Sequence, residues 1–166
     1  LRVMIGENDL SLQHSGNTEE LWMLETNVDD ASPQIMGHVM DKALELGALD
    51  CYFTPVQMKK NRPGVLLSVL CDNEKTESLM NLLFTETTTL GVRKFKVERR
   101  ALERNIVQVQ TQYGQIDVKV ARLNGRVVNE APEFEQCKKA AETAGVSVKF
   151  VENAVRFALN SDRDKQ

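Results

Sequence analysis

Cysteine is scarce and scattered in this sequence. Cys51, Cys71 and Cys137 are far apart and form no C-x-x-C pair, so no disulfide framework is encoded. That usage fits a reducing compartment, and the protein is expected to be cytoplasmic. Histidine is scarcer still. His14 lies in a polar stretch and His38 on the polar side of a predicted helix, with no zinc spacing to any cysteine and no Ser-His-Asp arrangement. Aromatic residues are only 5% of the chain, too few for a surface that stacks RNA bases. The net charge of −3 excludes a polycation that coats nucleic acid. No apolar run approaches the roughly 20 residues of a membrane helix, and no G-x-x-x-x-G-K-[ST] phosphate loop appears. Neither membrane nor nucleic acid is an expected partner.

What is present is ordinary globular composition, 42% apolar and 27% charged over 166 residues, enough for one generous domain or two small ones. The chain begins at Leu1, and "LRVMIG" reads as a strand torn from an upstream part. Residues 7–20 are polar and aperiodic, the composition of a linker. The expected organisation is therefore a tail and linker over 1–20, a first domain over 21–100 and a smaller one over 101–166.

The first domain opens with a strand, "LWMLETNVD". A helix follows, in which Ile35, Met36, Val39, Met40, Ala43 and Leu44 make an apolar stripe. Ser32 is its natural N-cap, Pro33 fits its first position and Gly47 supplies its stop. "LDCYFTPVQM" and "GVLLSVLCD" read as a hairpin joined by "KKNRPG", with Pro63-Gly64 in the order of a type II turn. A second helix is predicted from Asp72 or Asn73 to Phe84, capped by those side chains and facing inward with Leu79, Met80 and Leu83. A fourth strand starts at Gly91. This order is the βαββαβ of a ferredoxin-like α+β sandwich. The smaller α+β subdomain is a hairpin around Gly114, a type I′ turn at Asn124-Gly125 into a short strand, and two helices. Of these helices, one runs from Pro132 to Gly145 and the other carries Val148, Val151, Val155 and Leu159. "VLLSVL" is nearly apolar on both faces, while helices cover one face of such a sheet. The C-terminal elements or a second subunit must cover the other, so self-association is expected.

Three stretches carry chemistry. In "LETNVDDASPQ" the strand alternation puts Glu25, Asn27 and Asp29 on the face opposite Trp22, Leu24 and Val28. Glu25 and Asp29 are too far apart to grip one ion, which leaves Asp29 with Asp30 or Asn27 as the centre for a Mg²⁺ or Mn²⁺ that also binds phosphates. Asp30 serves equally well as a charge at the helix N-terminus. In "QMKKNRPG", Lys59, Lys60 and Arg62 are suited to phosphate, although hairpin tips ordinarily carry solvated charge. In "TETTTLGVR", Thr87, Thr88 and Thr89 offer hydroxyls and backbone N–H groups to phosphate oxygens, or are simply good strand formers. Arg93 shares a strand face with Phe95 and Val97 and needs a partner or the sheet edge.

Taken with "APEFEQCKKAAETAGVSV", these stretches in this order resemble the C-terminal part of the LarC family of nickel-insertion proteins, over about residues 21–160. The resemblance implies a cyclometallase, a lyase-class nickel chelatase. It inserts Ni²⁺ as substrate into pyridinium bisthiocarboxylic acid mononucleotide, using CTP and Mn²⁺ or Mg²⁺, to make the nickel-pincer cofactor of lactate racemase. It also implies that this part binds the nucleotide and that an upstream LarC domain works with it. On that footing Asp29 and Asp30, with Asn27, hold the divalent ion, while Lys59, Lys60, Arg62 and Arg93 neutralise phosphates positioned by Thr87, Thr88 and Thr89. Two histidines and three scattered cysteines are a poor nickel store, so the nickel ligands are expected upstream and this chain alone is expected to bind nucleotide without inserting metal. Relatives commonly carry Met and Glu where Ala31 and Gln34 stand. The competing reading is a small-molecule-sensing or oligomerisation module of ferredoxin-like fold without catalysis.

Overall fold

The computed structural model describes residues 17–163, which form two compact units that divide between Arg100 and Ala101. The predicted strand at 1–6 and the linker from 7 to 16 lie outside the described residues.

The first unit has the element order β1 (Asn17–Val28), α1 (Pro33–Glu45), β2 (Asp50–Met58), β3 (Arg62–Cys71), α2 (Thr76–Glu86) and β4 (Arg93–Ala101). The sheet order is β2-β3-β1-β4, the ferredoxin-like arrangement that the sequence predicts. Leu24 and Val28 of β1 join Leu67 and Val69 of β3, and Met36, Val39 and Ala43 of α1 meet Leu79 and Leu83 of α2 in one core. Burying one such side chain contributes about 1.5–3 kcal/mol.

Alpha-1 is built as its sequence dictates. Ser32 Oγ accepts from Ile35 N at 3.3 Å, Pro33 opens the helix, and Gly47 takes φ +98° just past its end. Ile35 and Leu44 at the margins of the stripe stay exposed.

Four local expectations are corrected. Beta-1 begins at Asn17, so residues 17–20 belong to the sheet and not to a linker. Glu19 and Glu20 look like linker residues, but Arg99 lies 2.6 Å from Glu19 and Lys96 lies 2.6 Å from Glu20. Pro63 and Gly64 lie inside β3, paired with Gln57 and Val56. The turn is Lys59-Lys60-Asn61, with Lys60 and Asn61 at φ 61° and 56°. Gly64 serves a close approach instead: a Cβ there would stand 2.8 Å from the Val28 carbonyl oxygen. Neither Asp72 nor Asn73 caps α2 through its side chain; a short 3₁₀ turn at Asn73–Lys75 precedes the helix, and Thr76 Oγ1 donates to the Asn73 carbonyl at 2.9 Å. Beta-4 starts at Arg93 and not at Gly91, because the Gly91 carbonyl is taken by threonine hydroxyls.

The second unit contains β5 (Glu103–Thr111), β6 (Gly114–Leu123), β7 (Arg126–Pro132), α3 (Phe134–Ala144) and α4 (Val148–Arg163). Its sheet is β5-β6-β7. Asn124 and Gly125 take φ 52° and 75°, both left-handed as a type I′ turn requires. Val109, Ile116, Val118 and Val120 pack with Cys137, Ala141, Val151 and Val155 of the helices. Pro132 does not open α3 as predicted. It pairs with Val118 in the sheet, and Glu133 N extends the ladder to the Asp117 carbonyl at 2.8 Å. Gly145 ends α3 at φ 66°. Among the described residues no helix is long and apolar enough to cross a membrane.

Candidate functional site

The C-terminal end of β1 is where three separate stretches of the first unit meet. Alternation along β1 sends Leu24, Thr26 and Val28 into the core and leaves Glu25, Asn27 and Asp29 half-buried on the open face. Beta-4 lies beside β1, and its first residue, Arg93, donates from Nη2 to Asn27 Oδ1 at 2.7 Å and stands 3.5 Å from Glu25 Oε2. From the β2–β3 hairpin, Arg62 Nη1 donates to Asp29 Oδ2 at 3.3 Å. The loop after α2 sends the Thr88 hydroxyl to Asp30 Oδ1. Asp29 and Glu25 retain only 19% and 21% of their side-chain exposure, whereas Arg62 and Arg93 retain 58% and 55%. The carboxylates are thus sunk and the guanidiniums stand above them, with donors left over for an incoming anion.

The threonine loop is fastened by its own hydroxyls. Thr87 Oγ1 donates to the Leu83 carbonyl at 2.6 Å and accepts from Thr89 N at 3.2 Å. Thr89 Oγ1 meets the hydroxyl of buried Thr26, and both lie 3.0 Å from the Gly91 carbonyl oxygen. Of the three predicted threonines, Thr89 reaches Thr26 of the acidic stretch and Thr88 reaches its Asp30 carboxylate. Lys59 and Lys60 sit exposed at the hairpin tip and make no ion pair among the described residues. Two further polar residues belong to this site, Thr26 on the core face and Ser68, fully buried on β3 opposite Glu25 and 3.5 Å from its Oε1. The signal for Thr26 was a hydroxyl in an otherwise apolar row, which obliges a partner.

Beside this cluster lies a cleft of about 370 Å³ walled by Val28, Ala31, Met36, Phe53 and Val65, with Asp29 at its rim. Its size suits a small ring system.

Among the described residues no group of three or more His, Cys, Asp or Glu side chains is placed to hold a metal. The donors at the end of β1 are all oxygens, which suits Mg²⁺ or Mn²⁺ and not nickel. Asp29 and Asp30 are consecutive in sequence, and their carboxylates engage Arg62 and Thr88 respectively. Thiolate chemistry is disfavoured: burial pushes the Cys51 thiol up to about 11 and raises Cys71 and Cys137 as well.

The family described as Nickel insertion protein matches residues 1–152. The pyridinium-3,5-bisthiocarboxylic acid mononucleotide nickel insertion protein of Acetivibrio thermocellus is 50% identical over 141 residues, which cover 85% of this chain and 34% of that protein. Its counterpart in Thermotoga petrophila is 46% identical over 140 residues, 84% of this chain and 35% of that one. The chain therefore spans about a third of the length of these relatives. Among solved structures, the apo C-terminal domain of a cyclometallase involved in the synthesis of the NPN cofactor of lactate racemase superposes with a TM-score of 0.81 at 35% identity, covering 87% of this chain and 99% of that domain. A protein from Methanopyrus kandleri superposes with a TM-score of 0.63 at 27% identity, over 87% of this chain and 91% of that one. With the match running through most of its length, the chain belongs to the nickel insertion protein family.

Proposed function

We propose that this chain is the nucleotide-seating part of a nickel insertase, a cyclometallase that works on pyridinium bisthiocarboxylic acid mononucleotide with Ni²⁺ as substrate and CTP as co-substrate. One observation supports this reading above the others: Arg62, Arg93 and Thr88, drawn from separate segments, converge on Asn27, Asp29 and Asp30. A metal-bound triphosphate needs that pairing of acids with cations. Asp29 and Asp30 hold a Mn²⁺ or Mg²⁺, whose role is to neutralise phosphate charge. Arg62 and Arg93 bind phosphate oxygens through the guanidinium donors that the carboxylates leave unused, and Lys59 and Lys60 reach the outer phosphates from the hairpin tip. Thr87 and Thr89 hold the loop in shape while Thr88 orients Asp30. The apolar cleft beside Asp29 seats the pyrimidine ring. The nickel ligands belong to an upstream domain of a longer cytoplasmic protein that assembles as a homo-oligomer, and this part alone does not insert metal.

A sensing or assembly module draws support from a different feature, since Asn27, Asp29 and Asp30 all have partners within the fold and the cluster holds its shape unaided. Calorimetric titration of CTP and of ATP, with and without Mn²⁺, separates the two. Metal-dependent binding that favours CTP is expected for the insertase, and no nucleotide binding for the module.

A further inference from the structure

A second groove lies wholly within the C-terminal unit, between β7 and α4, with a volume of about 520 Å³. Beta-7 is an edge strand, so one row of its backbone N–H and C=O groups faces away from the sheet. Its ladder to β6 is broken at this groove: Arg122 pairs with Val127 and the adjacent Ala121 with Asn129, which leaves Val128 as an extra residue in β7. Such a bulge twists an edge away from further pairing and re-aims the neighbouring side chains. Val128 is 51% exposed as a result, and it lines the groove with Asn129.

From the helix side, Arg156 and Asn160 are one helical turn apart and line the groove together. Arg156, Asn129 and Asn160 make no hydrogen bond or ion pair among the described residues. Val127 and Leu159, both packed against the second core, form an apolar floor between them. A guanidinium fork beside two amides is the donor set of a phosphate or carboxylate site, and the floor gives a ring something to lie on. Glu130, which already has a partner, also lines the groove.

We propose that this groove binds a mononucleotide, with its phosphomonoester on Arg156 and Asn160 and its base over Val127 and Leu159. The groove and its donors stand on their own geometry; naming the ligand as a pyridine mononucleotide, the second substrate of the insertase, rests on the function proposed above. Two ligands then occupy separate units, the triphosphate in the first and the mononucleotide in the second.

The test is calorimetric titration of the whole chain with nicotinic acid mononucleotide and, in parallel, with its dephosphorylated riboside. The mononucleotide is expected to bind at one site per chain and the riboside at least about tenfold more weakly, the loss of a charge-assisted contact. Arg156→Gln and Asn160→Ala, both at exposed positions, are expected to weaken the mononucleotide about tenfold or more while leaving CTP binding and the thermal midpoint unchanged. Absence of saturable binding, equal affinity for the riboside, or loss of mononucleotide binding in Arg62→Gln but not in Arg156→Gln overturns the proposal. Failure of CTP to bind, with mononucleotide binding retained, overturns the reading of the first unit instead.

Discussion

Arg93 and Asn27 are 66 positions apart in sequence, yet the guanidinium of one donates to the side-chain oxygen of the other at 2.7 Å. The contact depends on β4 lying beside β1, so it is a direct product of the strand order β2-β3-β1-β4. Because the same guanidinium also reaches Glu25, one residue ties the first and last strands together at the rim of the proposed site.

Arg93→Ala should separate binding from folding. More than half of its side chain is exposed, and exposed ion pairs contribute only about 0–1 kcal/mol, so the denaturant midpoint should move little. A hydrogen bond to a charged group is worth about 1.5–3 kcal/mol, which predicts roughly tenfold to hundredfold weaker binding of CTP with Mn²⁺. Calorimetry beside a urea melt reads both quantities.

Gly64→Ala should do the reverse. The added Cβ would stand 2.7 Å from Met58 Sδ and 2.8 Å from the Val28 carbonyl oxygen. The thioether can swing aside, but the carbonyl is part of β1, so a loss of about 1–3 kcal/mol in folding stability is expected. Urea denaturation measures it, and an unchanged midpoint would show that β1 shifts freely.

Much of this was legible in the sequence, and the misses share a physical cause. Alternation along β1 placed Glu25, Asn27 and Asp29 on one face, and caps and stops bounded α1, because those signals act within a few residues. The pairing of Glu19 and Glu20 with Arg99 and Lys96 acts across the sheet, so residues 17–20 read as linker. Pro63-Gly64 had the composition of a turn, but the register of β2 against β3 and the approach of the Val28 carbonyl decided otherwise. Thr87 and Thr89, offered to phosphate by the sequence alone, also fasten their own loop through contacts to Leu83, Thr26 and Gly91 that only the fold creates.

The cysteines give a test of burial. Cys51 is raised from 9.0 to about 11, first by burial and then by the neighbouring Asp50. The folded protein therefore keeps a proton that the unfolded chain loses in that window. The stability this group contributes is complete below pH 9.0 and falls as the pH rises toward about 11. Urea midpoints at about pH 8 and about pH 10.5 should differ more in the wild type than in Cys51→Ala. Native thiols should also react with a disulfide reagent at about pH 8 far more slowly than free cysteine does.

Whether acids and cations from three segments seat a nucleotide with its counter-ion is decided by a crystal soaked with CTP and Mn²⁺. An anomalous peak within coordination distance of Asp29 or Asp30, with phosphates against Arg62 and Arg93, is expected. A manganese peak elsewhere, with the Arg62–Asp29 and Arg93–Asn27 contacts untouched by ligand, would contradict it.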